Sequence, residues 1–278
     1  MSVKIIVDST ADLPQQLAEN AGISIVPCYV RFGDISLRDR IDISEDAFFE
    51  RLQNGSIFPT TSQPSPQDFI DVYQENSDNS DGIFSICVSR KLSGTYDSAF
   101  QARQSLNLNI PIEIVDSQST TIGLGVLAML AARLAQEGKT LSQITTAVNE
   151  AIPTIHLLGF FDTLKYLMAG GRIGKAKGLI GSVLNVKPVL TLKDGELHPS
   201  GQVRSRIKGA DRLVEYAGCF SKIEDLWIVH ANTENDAQDL AARLGEFFPR
   251  EKIVISRLGA AIGSHAGPGT LFVCVRGR

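Results

Sequence analysis

The run Ile83-Phe84-Ser85-Ile86-Cys87-Val88 constrains the fold more than any other stretch of this chain. Five apolar residues in six positions read as a buried strand. Leu92-Ser93-Gly94-Thr95-Tyr96 follows at once, and helical periodicity then runs from Tyr96 to Leu106. A Ser-Gly-Thr turn between a strand and a helix presents hydroxyls and unpaired first-turn N–H groups at the positive end of the helix dipole. That arrangement favours an anion. A plain N-cap, in which Ser93 or Thr95 serves only its own helix, accounts for the same residues. From the turn alone, both readings stand.

The same alternation extends to either side. Val3 to Val7, Ile23 to Phe32 (broken by Pro27) and Ile112 to Val115 read as strands. Asp12-Leu13-Pro14 to Gly22, Ser44 to Asn54, Ile122 to Gln136 and Leu141 to Ile152 read as helices. Strand and helix in turn predict an α/β layer with a mostly parallel sheet over residues 1–155. Past Pro153 the pattern changes. Pro188 to Leu197 is a hairpin with Asp194-Gly195 at its turn. Helices are expected over 162–169, 175–185, 203–216 and 235–248, with strands over 156–161, 226–231, 253–258 and 271–275. This predicts a second, α+β domain with a mixed sheet over residues 156–278.

Composition narrows the function classes. The 278 residues are 43% hydrophobic, enough to bury a large core, and the formal charge of −4 provides no global positive field for nucleic acid. No apolar run approaches the roughly 20 residues that span a bilayer, and the start, Met1 to Asp8, enters a strand without the features of a signal peptide. The expected compartment is the cytoplasm. Cys28, Cys87, Cys219 and Cys274 form no Cys-x-x-Cys pair and read as buried hydrophobes. No two histidines have metal-ligand spacing, so no metal is expected.

Several loops carry polar side chains worth weighing. Phe58 to Pro66 is a rigid loop with three prolines. Ser65-Pro66-Gln67-Asp68 is a capping pattern, which explains Ser65 but leaves Thr60, Thr61 and Ser62 as either a local hydroxyl turn or a functional loop. His265 sits in the Gly263 to Gly269 loop, where backbone can approach a ligand closely. Gly170-Gly171-Arg172-Ile173-Gly174-Lys175 is a basic turn. Arg172, Lys175 and, further on, Arg204 offer a basic face for a partner or an anionic headgroup. Gly123-x-Gly125-x-x-Ala128 lies too far past its strand to be a dinucleotide turn and instead allows close helix packing. No Walker A loop occurs. Ser93, His265 and an acid such as Asp8 or Asp116 would make a hydrolytic triad only with the right geometry, and the Gly-x-Ser-x-Gly elbow is missing.

Seven blocks in order resemble the DegV family: Asp8-Ser9-Thr10-Ala11-Asp12-Leu13, Thr61-Ser62-Gln63-Pro64-Ser65, Leu92-Ser93-Gly94-Thr95-Tyr96, Val115-Asp116-Ser117, Gly170-Gly171-Arg172-Ile173, Leu184 to Leu190, and His265-x-Gly267-Pro268-Gly269. The resemblance implies two α/β domains holding one long-chain fatty acid, such as palmitate, stearate or oleate, and no cofactor. It implies carboxylate contacts from Thr61, Ser62, Ser93, Gly94, Thr95 and His265. It further implies a non-catalytic carrier that presents its acyl group to a separate dihydroxyacetone-kinase-like ATP-binding subunit, which makes acyl phosphate for phospholipid synthesis. A lipid carrier without a kinase, with at most transient membrane contact, and a Ser93/His265 acyl hydrolase are the alternatives. Phe160, Phe161, Leu164, Leu167, Ile180, Leu184 and Val189 supply apolar stock for a tail tunnel. Thr270-Leu271-Phe272 is bulkier than the family's usual small residues there, which bears on chain-length preference.

Overall fold

The computed structural model describes residues 2–78, 80–179 and 186–278. The first half supplies strands β1 (Ser2–Asp8), β2 (Ile23–Val26), β3 (Tyr29–Phe32), β4 (Ile35–Arg38), β5 (Thr60–Ser62), β6 (Ser80–Cys87) and β7 (Ile112–Asp116). Its helices are α1 (Gln15–Ala21), α2 (Glu45–Asn54), α3 (Pro66–Glu75), α4 (Thr95–Ser105), α5 (Thr121–Gln136) and α6 (Leu141–Ala151). The second half adds β8 (Ile155–Phe160), α7 (Lys165–Ala169), β9 (Lys187–Lys193), β10 (Glu196–Val203), α8 (Arg206–Ala217), β11 (Ile223–His230), α9 (Glu234–Leu244), β12 (Val254–Arg257), α10 (Ala260–Ala266) and β13 (Leu271–Gly277).

Among the described residues these strands form three sheets. The first has the order β2-β1-β6-β7 and is parallel throughout. The second, β10-β9-β8-β13-β11-β12, is antiparallel except for the β11–β12 pair. The fold is therefore α/β, with a parallel sheet in the first half and a mixed sheet in the second. The third, β4-β3-β5, is a small antiparallel sheet that sequence reading misses. The proline-rich segment read as a loop over 58–66 contains β5, which pairs with β3 in the register Val30↔Thr61. Pro27 ends β2 and sends the chain into that separate sheet.

Local chemistry explains most boundaries. Ser65 and Asp68 close a reciprocal capping box on α3, the Ser65 N–H donating to Asp68 Oδ2 at 2.6 Å. Asp194 and Gly195 both have positive φ, 50° and 77°, as a two-residue hairpin turn requires. The segment expected as a helix over 175–185 forms a 3-10 turn over Gly174–Leu179, and its remainder lies outside the described residues. Helix α5 lies between the two large sheets and is buried along most of its length. Its glycines are packing residues: a Cβ on Gly123 would fall 2.3 Å from Leu157 Cδ1, and one on Gly125 would fall 2.8 Å from the Ala11 carbonyl. One apolar cluster runs through this seam and joins Val7 and Ile86 of the first sheet to Leu157, Leu190, Trp227 and Cys274 of the second. Cys28, Cys87 and Cys274 are buried as expected, but Cys219 is exposed, because it follows the end of α8 on the surface. No described helix is long and apolar enough to cross a membrane.

Candidate functional site

A mainly apolar cavity opens where the rim of the parallel sheet, the small sheet and the second half meet. Val88, Leu92, Phe161, Leu167, Leu197 and Phe272 supply apolar wall. Thr61, Ser62, Ser93, Arg172 and His265 supply polar wall.

These five polar residues arrive from four separate segments, Thr61 and Ser62 sharing β5. Thr61 stands on β5 and is fixed by pairing with β3. Ser93 closes a tight turn after β6, its N–H donating to the Ser89 carbonyl at 3.1 Å. His265 belongs to the last turn of α10, not to a glycine loop as its neighbours suggest. Gly263 is accommodated inside the helix, and chain reversal begins only at Gly267, where φ is 75°. The chain thus brings Thr61, 204 residues away in sequence, into hydrogen-bond contact with His265: Thr61 Oγ1 lies 2.8 Å from His265 Nε2. The other ring nitrogen, Nδ1, is buried without a hydrogen-bond partner among the described residues. The backbone of Gly170 presses on that edge so closely that a Cβ there would sit 2.0 Å from Nδ1. Burial, helped by the positive charge of Arg172, lowers the imidazole pKa to about 4, so the ring is neutral near pH 7.

Ser93 Oγ lies 2.8 Å from Thr95 Oγ1 and accepts the Thr95 N–H at 3.3 Å. Ser93 is therefore the hydroxyl that serves the first turn of α4, whose N-cap, Gly94, has no side chain to offer. Gly94 and Thr95 are not part of the cavity wall. Thr95 is fully buried beneath Ser93, and Gly94 makes room for the Gln63 amide, which a Cβ would approach to 2.6 Å. No Ser93–His265 hydrogen bond occurs among the described residues. The candidate acids are engaged elsewhere: Asp8 accepts from Thr10 and Val88 N–H, and Asp116 accepts from Gln118 N–H. The hydrolytic triad is not assembled.

The basic residues separate. Arg172 stands at the cavity, where its Nε donates to the Leu92 carbonyl at 3.2 Å and its Nη1 to the Gly170 carbonyl at 2.8 Å. Lys175 lies 3.8 Å from Glu196, which Lys91 also approaches at 3.9 Å. Arg204 is exposed past the far end of β10, eight strand residues or roughly 25 Å from Glu196. Of the tail residues, Phe161 and Leu167 line the cavity. Leu164 packs in the same core cluster, whereas Phe160 and Val189 belong to the separate core of the mixed sheet. Ile180 and Leu184 lie outside the described residues. Phe272 faces the cavity and meets Phe161 edge to face, with ring centroids 5.2 Å apart, over the backbone of Gly159.

Sequence reading misses Thr10, Thr120 and Thr121, which also line the cavity. Thr121 has φ 46°, a left-handed conformation rare for a β-branched residue. It is stabilised here by donation from its hydroxyl to the fully buried Asp12 at 2.6 Å. Burial raises the Asp12 pKa to about 7 despite the nearby Arg40. Asp12 and Asp39 also receive the first N–H groups at the start of α10: Gly259 donates to Asp12 Oδ1 at 2.7 Å and Ala260 to Asp39 Oδ1 at 2.8 Å.

The chain matches the family model described as "Uncharacterised protein, DegV family" over residues 2–277. It is 37% identical over 280 residues to a DegV domain-containing protein of Streptomyces coelicolor, covering 99% of each chain, and 35% identical over 269 residues to one from Caldanaerobacter subterraneus, covering 96% and 95%. Among solved structures it resembles a DegV family protein from Thermus thermophilus known for fatty acid binding, with TM-score 0.92, 34% identity and full coverage of both chains. It also resembles DegV of Bacillus subtilis, a fatty acid binding protein, with TM-score 0.89, 30% identity and full coverage of both. By sequence along nearly its whole length and by fold, the chain belongs to the DegV family.

Proposed function

We propose that this protein binds one long-chain fatty acid between two domains, residues 1–155 and 156–278, and presents its carboxylate to a separate ATP-binding kinase subunit in the cytoplasm. The observation that carries the reading is the Thr61–His265 contact in the wall of a mainly apolar cavity that Ser62 and Ser93 also line.

The energetics suit such a ligand. Each buried methylene contributes about 0.8 kcal/mol, so a C16 tail supplies a gross ~10 kcal/mol before the cost of association. A carboxylate drawn in with that tail must find donors, because leaving it unpaired in an apolar site is costly. The hydroxyls of Thr61, Ser62 and Ser93 and one imidazole N–H can donate, at about 1.5–3 kcal/mol for each charge-assisted bond. Gly94 and Thr95 act in this reading by holding Ser93. Arg172 places positive charge beside the same end, and Lys91 and Lys175 extend it along the rim. That face would suit an acidic partner or an anionic headgroup, with Arg204 as a separate outlying contact.

The test is organic extraction of the purified protein followed by mass spectrometry, together with titration of the delipidated chain with palmitate and oleate. Co-purified fatty acid and saturable binding are expected. Absence of both would overturn the reading. Incubation with ATP and a dihydroxyacetone-kinase-like subunit is expected to give acyl phosphate. Binding without phosphorylation would leave a lipid carrier.

A further inference from the structure

We propose that Asp12 and Asp39 are positioning residues for His265, gripping the turn that starts α10 and thereby setting where the imidazole stands. This rests on the carboxylate reading above.

The turn from β12 into α10 has no side-chain cap of its own, because its N-cap is Gly259. Its exposed backbone groups are taken up by residues of the first half. The Gly259 N–H donates to Asp12 and the Ala260 N–H to Asp39, while the Arg257 carbonyl accepts from Arg40 Nη2 at 2.7 Å. Ser256 Oγ donates to the Asp12 carbonyl. The approach leaves no room for a side chain: a Cβ on Gly259 would come 2.9 Å from Asp39 Oδ1. The two acids are themselves held. Ser9 Oγ donates to Asp39 Oδ2 at 2.9 Å, the Asp39 N–H donates to the Cys28 carbonyl at 2.8 Å, and Thr121 fixes Asp12.

Neither acid lines the cavity, yet both are essentially inaccessible to solvent. Burying two carboxylates is expensive, and helices are ordinarily capped by one short side chain of their own at the N-cap. What the second adds is location. The sheet β4-β3-β5 carries Thr61 on β5, and Asp39 directly follows β4. One small sheet thus fixes both partners of the Thr61–His265 contact, Thr61 directly and His265 through Asp39 and α10. Because α10 is only seven residues long, a shift of its first turn passes undiminished to its last. Sites of this kind tolerate displacements of about 0.5 Å.

The test is a double-mutant cycle on the full chain loaded with radiolabelled palmitate, reading the rate of palmitate release. Asp39→Asn is expected to accelerate release about tenfold in the parent and by less than about twofold in a His265→Ala background. Equal acceleration in both backgrounds would show a merely structural role and overturn the proposal, as would unchanged release from a folded Asp39→Asn protein. If Asp39→Asn fails to fold, Ser9→Ala, which removes the hydroxyl that donates to Asp39 and accepts the Cys28 N–H, enters the same cycle with the same expected pattern. Unchanged release on His265→Ala would sink the carboxylate reading and the grip with it. Acceleration by His265→Ala without acceleration by Asp39→Asn sinks the grip alone.

Discussion

Replacing Ser93 by alanine separates ligand binding from helix capping. In the protein alone, the change removes an acceptor for the Thr95 N–H at 3.3 Å and a partner for the fully buried Thr95 hydroxyl at 2.8 Å. A lost cap of that length costs about 0.5–1 kcal/mol, and a buried hydroxyl left unpaired costs about 1 kcal/mol more. For a chain of this size, the melting temperature should fall by something on the order of 5 °C. A bound carboxylate would lose one charge-assisted donor, about 1.5–3 kcal/mol, which corresponds to roughly 10- to 150-fold weaker palmitate retention. The assay pairs thermal melting of delipidated protein with palmitate release by rapid dilution. Leu240→Ala, deep in the mixed-sheet core and far from the cavity, supplies the comparison, with an expected cost of about 2–5 kcal/mol and little change in release. If Ser93→Ala melts like Leu240→Ala and holds palmitate as the parent does, Ser93 is a cap alone and donates nothing to a carboxylate.

Phe272→Ala should lengthen the cavity beyond Phe161 and move the co-purified fatty acids toward longer chains. An unchanged profile on mass spectrometry would show that the edge-to-face pair does not bound the tail. Acidification should destabilise the fold through His265. Its folded pKa of about 4 lies below the usual 6.5, so the unfolded chain binds more protons between those values, and stability present above about pH 6.5 is lost as pH falls toward 4. Asp12, raised to about 7, acts with the opposite sign, since its contribution is largest below about pH 4 and fades as pH rises toward 7. The quantity to measure is therefore the difference in melting temperature between the parent and His265→Gln from pH 7 to pH 4.5. The parent should lose more, and parallel curves would count against a buried neutral imidazole.

What could be read in advance depended on the range of the interaction. Asp194-Gly195, the Ser65–Asp68 box and the packing role of Gly123 and Gly125 are legible because their chemistry is complete within a few residues. The strand at Thr60–Ser62 is not, because the strand it pairs with is about thirty residues upstream and prolines flank it. Helix α10 hides behind Gly263, Gly267 and Pro268, and its start is capped by carboxylates more than 200 residues away. Ser93 and His265 could be singled out by residue type, and the service of Ser93 to its own helix is local, but the partner of His265, Thr61, follows only from the fold. The strained Thr121 has no sequence signal at all.

The helix between the large sheets limits how any ligand could reach the cavity. Because the cluster around α5 joins residues of both sheets into one core, the halves cannot swing apart like jaws. Exposing even roughly 500 Å² of that seam would cost about 12 kcal/mol, comparable to the whole stability of an ordinary domain. Traffic through the cavity must therefore proceed by local displacement of elements at its rim, and heat should melt both halves in a single cooperative step.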